Sequence, residues 1–321
     1  MKSFIKNSIL FLSPFLIIFI FLELYIELYP SAYVSKARYI KQNKDIELLI
    51  LGSSHSQNDI NPEFINIKSA NLAYANQDQQ LNSALFFRYI ESLSNLKCLI
   101  WELDYHNLEY KVDDTGLRLP WYYKYHGIRI GKLNYLYKYL LYPSSPEFFN
   151  NFILSTLTQK HSRDILNEYG FITNDFNGWF ADLNNDEEII ITTAHDRLEY
   201  LQDESIENYV YNTKQIDKVI EYCNNNDILV ILLTMPVYKS FISVEKTEKN
   251  KRRTLYIDEV LSKYSNIAYL NYEKDNRFVS KIDYFKNDDH LNSYGAKIFT
   301  EILNNDILDL INKFITSLPK E

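Results

Sequence analysis

Apolar and polar positions form two kinds of block along this chain. Short, nearly unbroken apolar runs are typical of strands buried on both faces of a parallel sheet. Five such runs occur: IELLILG, SANLAY, LKCLIWELDY, DILVILLTMPVY and NIAYLNY. Stretches with apolar residues three or four positions apart predict helices, and these begin near Asp78, Ile206, Tyr256 and Ser293. The alternation predicts an α/β fold, a three-layer α/β/α sandwich around a five-stranded parallel sheet.

One long segment interrupts this alternation. It lies between the third and fourth predicted strands, at about residues 108–205, and contains LPWYYKYHGIRIGKLNYLYKYLLY. We interpret it as an inserted cap within one domain that spans residues 46–315. Its aromatic side chains suit the core of a cap; the alternatives are a surface that stacks on sugar rings or one that rests at a membrane interface.

The N-terminal residues 1–30 carry an apolar run from about Ile9 to Leu22, preceded by Lys2 and Lys6. Its length lies between that of a signal-peptide core and that of a spanning helix. We predict an uncleaved signal anchor, followed by a polar linker at 31–45; a cleaved signal and a buried helix are the alternatives. The two lysines favour a single-pass protein of the cytoplasmic membrane, with its domain in the periplasm or at the outer face.

Composition narrows the classes of function. Of the 321 residues 46% are apolar, so a sizeable core can form, and the net charge of −8 argues against a nucleic-acid partner. Cys98 and Cys223 lie in apolar or helical patterns, and we expect buried thiols rather than a disulfide. The His and Cys spacings suggest no metal, and we expect no metal and no cofactor.

A small polar motif ends the first predicted strand. The chain has only seven glycines, and Gly52 is followed there by Ser53, Ser54 and His55. In open α/β sheets the ligand site lies beyond the carboxyl ends of the strands. A serine at a strand-to-helix turn can expose its hydroxyl, with backbone N–H groups nearby for an oxyanion. A serine that caps the next helix explains the same residues.

A second motif precedes the last predicted helix. The stretch DYFKNDDHLNSYGAKIF places His290 in a polar loop, directly after Asn287, Asp288 and Asp289. A serine nucleophile needs a base within hydrogen-bond reach, and the base needs an acceptor that orients it. A solvent-exposed loop that merely starts a helix is the alternative.

Together the two motifs resemble those of the SGNH, or GDSL-like, hydrolase superfamily, over about residues 46–315. The match is most similar to its membrane-anchored branch, which includes the DltD-type proteins and the AlgJ/AlgX-type O-acyltransferases. The resemblance implies a flavodoxin-like SGNH fold, Ser54 as the nucleophile and His290 as the base. The family has Asp three residues before this His, whereas this chain has Asn287. Asn287, Asp288 and Asp289 are therefore all candidates for orienting His290.

The resemblance also implies donors for the oxyanion. The family has a Gly after the second strand and an Asn after the third, and the corresponding candidates here are Asn76 and Asn107. Gly52, Ser53 and His55 complete the candidate oxyanion and substrate-binding set, with His55 expected to make a substrate or packing contact rather than to act as a base. Glu102 and Asp104, at the end of the third strand, are predicted to be charges on the wet rim; a role facing the substrate is the alternative.

The implied function is a membrane-anchored serine acyl-ester enzyme. It would act as an O-acyltransferase or acetylesterase on an exported or cell-envelope glycan, or on an acylated carrier, through an acyl-Ser intermediate. The alternative is a non-catalytic SGNH-like glycan-binding accessory protein that assists a membrane-embedded acyltransferase.

Overall fold

Five short strands form one sheet in the computed structural model of the chain, which describes residues 1–113, 116, 118–158 and 164–317. The strands are β1 (Leu48–Leu51), β2 (Ser69–Asn71), β3 (Cys98–Glu102), β4 (Leu229–Thr234) and β5 (Ile267–Asn271). All neighbours are parallel, in the order β2-β1-β3-β4-β5. Each strand lies within one of the five apolar runs, so the predicted five-stranded parallel sheet is confirmed.

The register of the sheet decides which residues meet at its carboxyl edge. Leu51 of β1 is paired with Trp101 of β3. The next residues along the two strands, Gly52 and Glu102, therefore emerge side by side. This adjacency positions the candidate site, because parallel strands present their carboxyl ends at the same edge.

The helices of the described chain range from single turns to long rods. They are α1 (Lys2–Leu28), α2 (Ala32–Gln42), α3 (Ser54–Asp59), α4 (Gln79–Tyr89), α5 (Leu119–Trp121), α6 (Pro146–Leu157), α7 (Trp179–Asp182), α8 (Glu187–Thr192), α9 (Ala194–Leu198), α10 (Ile206–Asn224), α11 (Lys239–Ile242), α12 (Thr247–Lys263) and α13 (Ser293–Ser317). Single 3₁₀ turns lie at Pro62–Phe64, Ile90–Ser92, Tyr135–Lys138, Tyr142–Ser144, Glu199–Leu201 and Ile282–Tyr284, and a π turn at Tyr122–His126.

Helices cover both faces of the sheet. On one face, alternate residues of β1, β3 and β4 pack against the apolar side of α13, which includes Phe299 and Leu303. On the other face, the Trp101 indole donates to Gln79 of α4 at 2.7 Å. Helix α10 packs beside α4 there, through Phe86 and Tyr222. The predicted three-layer sandwich is confirmed.

Two predicted boundaries differ from the observed ones. The segment predicted as a linker, residues 31–45, contains helix α2, whose buried Lys36 and Ala37 lie four and three positions before buried Ile40, as on one face of a helix. Helix α12 begins at Thr247 rather than near Tyr256. Its first turns are polar and give no apolar period, although buried Arg253 is held there by Glu273.

The chain divides into two units. We call Met1–Val34 with Asp113–Arg163 the anchor unit, and Ser35–Val112 with Asp164–Glu321 the sheet unit. The predicted insertion at about 108–205 is thus shared between them, and its residues 159–163 lie outside the described residues. The predicted catalytic residues belong to the sheet unit.

Helix α1 of the anchor unit has 27 residues, and an 18-residue stretch within it has a mean hydropathy of 2.5. At 1.5 Å per residue it is about 40 Å long, enough to cross a bilayer. Among the described residues it is the one helix that is long and apolar enough to do so. Near its end, the Glu23 carboxylate is buried and accepts the backbone N–H groups of Leu141 and Tyr142. Trp121 and Phe149 pack in a small core beside Ile26.

Candidate active site

The turn after β1 is built around a buried carboxylate. Glu102 is fully buried and accepts the backbone N–H groups of Ser53 and Ser56, each at 2.8 Å, and the Ser53 hydroxyl. A side chain at position 52 would collide with the Glu102 carboxylate and the Ser56 hydroxyl. Gly52 is therefore required because the backbone passes directly over this carboxylate. Burial opposes ionisation of Glu102, but the charge of His55 and the hydrogen bonds from Ser53 and Ser56 lower its pKa.

Ser54 is the first residue of α3 and is half-buried. Its hydroxyl makes no hydrogen bond to any residue of the described chain. Two contacts hold α3 against the loop that carries His290: Asp59 accepts the Leu291 backbone N–H at 2.9 Å, and Asn58 accepts from Lys286 at 3.1 Å. The predicted serine and histidine motifs, far apart in sequence, are thus brought to one edge of the sheet.

His290 is held through one nitrogen only. Its Nδ1 atom lies 2.8 Å from Asp289 Oδ1 and 3.1 Å from Asn287 Oδ1. Because both neighbours are acceptors, the proton sits on Nδ1 and the Nε2 lone pair is free. Nε2 is buried and has no hydrogen-bond partner within the described ranges. Burial, with the positive charges of His55 and Lys286, lowers the pKa of His290 against the opposing effect of Asp289.

Of the three predicted orienting residues, Asp288 does not face His290. Its carboxylate binds the Arg197 guanidinium through two hydrogen bonds, of 2.9 and 2.7 Å, and accepts from Ser240. Its backbone carbonyl accepts the Tyr238 N–H. Asp288 therefore fixes the loop to the rest of the sheet unit, and its expected role as an orienting residue is wrong.

His55 lies in the middle of a buried chain of charges. It is 1% exposed, with Nδ1 at 2.5 Å from Asp104 Oδ2 and Nε2 at 3.3 Å from Asp289 Oδ2. Asp104 also accepts the Met235 N–H at 2.7 Å. Glu102 and Asp104 were expected at the wet rim, but they are 0% and 2% exposed, so that expectation is wrong. They are buried because their partners stand on neighbouring strand ends.

The predicted oxyanion donors differ in how they are placed. The Ser53 N–H is already bound to Glu102, and the Asn107 amide donates to the same carboxylate at 3.1 Å. Asn76 is exposed and has φ +57°, a left-handed conformation that glycine and asparagine adopt most readily. The backbone N–H groups of Ser54 and Asn76 donate to no described residue, and they remain the predicted donors.

Two groups of side chains bring potential metal ligands close together. They are His55 with Asp289 and His290, and His55 with Glu102 and Asp104. Both nitrogens of His55, however, already face carboxylate oxygens within hydrogen-bond distance. Hydrogen bonds account for both groups, and we assign no ion to them.

Sequence reasoning missed the structural role of three residues in the site. Asp104 is hydrogen-bonded to His55, Glu102 accepts hydrogen bonds from the turn after β1, and Arg197 donates to Asp288. The signal for the first two was present in WELD, where acidic residues directly continue a fully apolar strand. Arg197 lies in the irregular insertion, where no periodic pattern predicts that its side chain contacts Asp288.

Comparison with known proteins adds a distant likeness. No protein-family model matches this chain, and neither does any curated protein. Among solved structures, a GDSL-like lipase from Bacteroides thetaiotaomicron is 13% identical, with a TM-score of 0.39, and the match covers 88% of this chain and 98% of that one. A candidate platelet activating factor from Streptococcus pneumonia is 11% identical, with a TM-score of 0.39 and coverage of 85% and 91%. Likeness at this level does not assign a family.

Proposed function

We propose that this chain is a serine acyl-ester enzyme in which Ser54 is the nucleophile and His290 the general base. One observation carries the proposal: His290 is anchored through Nδ1 and presents a free Nε2 at the edge of the sheet where α3 begins with Ser54. A base oriented in this way, at the same sheet edge as a hydroxyl with no hydrogen-bond partner among the described residues, is what nucleophilic acyl transfer requires.

The reaction follows from these groups. The Ser54 oxygen attacks the acyl carbonyl while its proton moves to His290 Nε2, and the backbone N–H groups of Ser54 and Asn76 stabilise the oxyanion. His290 then gives the proton to the departing alkoxide, which leaves an acyl-Ser54 ester. A second hydroxyl, activated by His290, attacks this ester and regenerates the serine.

The nature of the second hydroxyl decides the class of enzyme. A sugar hydroxyl makes the protein an O-acyltransferase, and water makes it an esterase. We favour transfer to an exported or cell-envelope glycan, because helix α1 would hold the enzyme at a membrane and the resemblance points to the membrane-anchored branch. Tyr135 and Tyr139 are more than half exposed, as aromatic side chains that contact a sugar or lipid surface would be.

The test uses the full chain in detergent micelles. A fluorophosphonate probe should label the wild-type protein, and the label should map to Ser54. Ser54→Ala should abolish labelling, whereas Ser262→Ala, which changes an exposed serine on α12, should leave it intact. Incubation with p-nitrophenyl acetate and a soluble oligosaccharide should then yield an acetylated sugar; acetate alone would indicate an esterase.

A non-catalytic accessory role is the second candidate. Two observations favour it: Asn287 replaces the family aspartate, and Ser54 and His290 are not hydrogen-bonded to each other. Absence of labelling, together with no turnover of p-nitrophenyl acetate, would reject the enzyme in favour of this role. Binding of an oligosaccharide by the unlabelled protein would then be the property to measure.

A further inference from the structure

Four side chains form a continuous buried row that ends at the proposed base, His290. Asp104 Oδ2 lies 2.5 Å from His55 Nδ1, and His55 Nε2 lies 3.3 Å from Asp289 Oδ2. The other oxygen of Asp289 lies 2.8 Å from His290 Nδ1. The His55 and His290 rings meet edge to face, with centroids 4.8 Å apart. Asp289 thus bridges two imidazoles, of which only His290 has a free nitrogen.

We propose that His55, held by Asp104, is a positioning residue that keeps a positive charge behind Asp289 and so sets the charge state of His290. This inference rests on the proposed function. It adds a second histidine, His55, to the serine, histidine and acid that acyl transfer needs. It also gives the buried Asp104 a role, which is to keep His55 protonated.

The hydrogen bonds of His55 call for two protons on its ring. A neutral imidazole carries one N–H and one lone pair, and here the lone pair would face a carboxylate. The doubly protonated ring donates to Asp104 and to Asp289 at once. Burial alone would lower the pKa of His55, but these two carboxylates raise it well above its usual value.

The other ionisable groups around His55 are consistent with one buried cation. Burial lowers the pKa of His106, 5.0 Å away between ring centroids, to about 3, so that ring is neutral. Burial raises the pKa of Asp59 well above its usual value, which favours its uncharged form. Glu102 is the remaining carboxylate, and Lys286 the remaining cation that acts on His290.

The charge on His55 affects the ionisation of both Asp289 and His290. Burial would raise the pKa of Asp289, but His290 and His55 hold it well below its usual range. The same cation lowers the pKa of His290. The base is therefore neutral at physiological pH, while its acceptor stays ionised and can stabilise the imidazolium that forms during attack. A purely structural His55 would support packing without affecting these ionisations.

The experiment measures the rate of fluorophosphonate labelling of Ser54 against pH, in the full chain in micelles. In the wild type the rate should fall at low pH as His290 is protonated. His55→Gln removes the cation, so this acid limb should move to higher pH by roughly 0.5 to 1 unit, and labelling at pH values well below the midpoint should slow roughly three- to tenfold. Asp104→Asn keeps the ring but removes the charge that holds its second proton, and should move the limb in the same direction.

His106→Gln is the matched control, because it replaces a neighbouring buried histidine that carries no charge, and its acid limb should stay in place. A limb that stays in place in both His55→Gln and Asp104→Asn would overturn the inference while leaving Ser54 as a nucleophile. Absence of wild-type labelling would instead overturn the proposed function.

A second measurement covers the case in which a variant fails to fold. Nitrogen-15 spectra of histidine-labelled Ser54→Ala protein should show one imidazole that stays doubly protonated up to pH 8. A set of histidine signals that are all neutral at pH 7 would overturn the inference whatever the variants do.

Discussion

The Nδ1 atom of His290 has two acceptors, one charged and one neutral. Asp289 is the nearer, at 2.8 Å, and Asn287 lies at 3.1 Å. Asn287 also accepts the backbone N–H of His290 at 2.8 Å, so it fixes the loop as well as the ring. The aspartate implied by the resemblance, three residues before the histidine, is absent, and the carboxylate at Nδ1 belongs to Asp289, one residue before it.

The two acceptors should differ in their effect on reactivity. We expect Asp289→Asn to slow labelling of Ser54 by about 10²-fold or more, because the imidazolium loses its counter-charge. Asn287→Ala should cost about tenfold or less, since Asp289 still holds the ring. Pseudo-first-order labelling rates at pH 7.5 measure both. A larger loss in Asn287→Ala than in Asp289→Asn would show that the neutral acceptor, and not the charge, orients the base.

The lowered pKa of His290 predicts where the acid limb of the reaction lies. The neutral imidazole is the active form, so the rate rises as pH passes upward through this pKa. Because burial and nearby cations lower the pKa, the midpoint should lie below 6.5, the usual histidine value. Labelling rates between pH 4.5 and 8.5 test this, with circular dichroism at each pH to verify folding. A midpoint above 7 would contradict the placement of His290 as a buried base.

At the scale of elements, the register between β1 and β3 determines which residues are adjacent in the candidate site. Strand and helix positions follow from local apolar periodicity, and for this reason all five strands could be predicted from the sequence. The adjacency of Gly52 and Glu102 depends on how two strands pair across 50 residues of chain, and His55 meets Asp104 for the same reason. No local pattern encodes such pairings, and for this reason Glu102 and Asp104 were predicted to be exposed charges at the rim of the sheet.

The close approach of Gly52 to Glu102 predicts a cost for any side chain there. Gly52→Ala should lower the stability of the sheet unit by about 2 kcal/mol or more, because a buried carboxylate or the turn must move. It should also slow labelling of Ser54, which follows on the same turn. Ser54→Ala removes a hydroxyl with no partner and should stay within about 0.5 kcal/mol of the wild type. Chemical denaturation measures both, and equal stabilities would contradict the tight packing of the turn.

Within the anchor unit, Glu23 connects α1 to the aromatic-rich part of the insertion, residues 121–142. It accepts two backbone N–H groups and lies 3.4 Å from the Lys124 ammonium. Glu23→Ala leaves those buried donors without an acceptor, at a cost of about 1–3 kcal/mol. Trypsin should then cut faster at Lys124, Lys132 and Lys138. Glu27→Ala is the control, because Glu27 is half-exposed and 3.6 Å from Lys124; equally fast cleavage in both variants would rule out a special role for Glu23.

At the scale of the whole molecule, the site and the apolar helix belong to different units of one chain. The predicted insertion was expected to be one cap, yet its first part groups with α1 and its second part supplies Arg197 to the sheet unit. Sequence pattern could not divide it, because its short helices have no sustained period. The proposed catalysis and the proposed membrane attachment can therefore be tested separately.

The positive charges of Lys2 and Lys6 predict the side of the membrane on which the sheet unit lies. If α1 spans the bilayer with Lys2 and Lys6 inside, a cysteine at Lys2 should resist a membrane-impermeant maleimide in intact cells, and one at exposed Lys218 should react. The native Cys98 and Cys223 are buried, so they should give little background. Resistance of both sites until the membrane is permeabilised would place the sheet unit inside, away from any exported glycan. A mature protein that begins beyond residue 28 would instead identify α1 as a cleaved signal, which N-terminal sequencing detects.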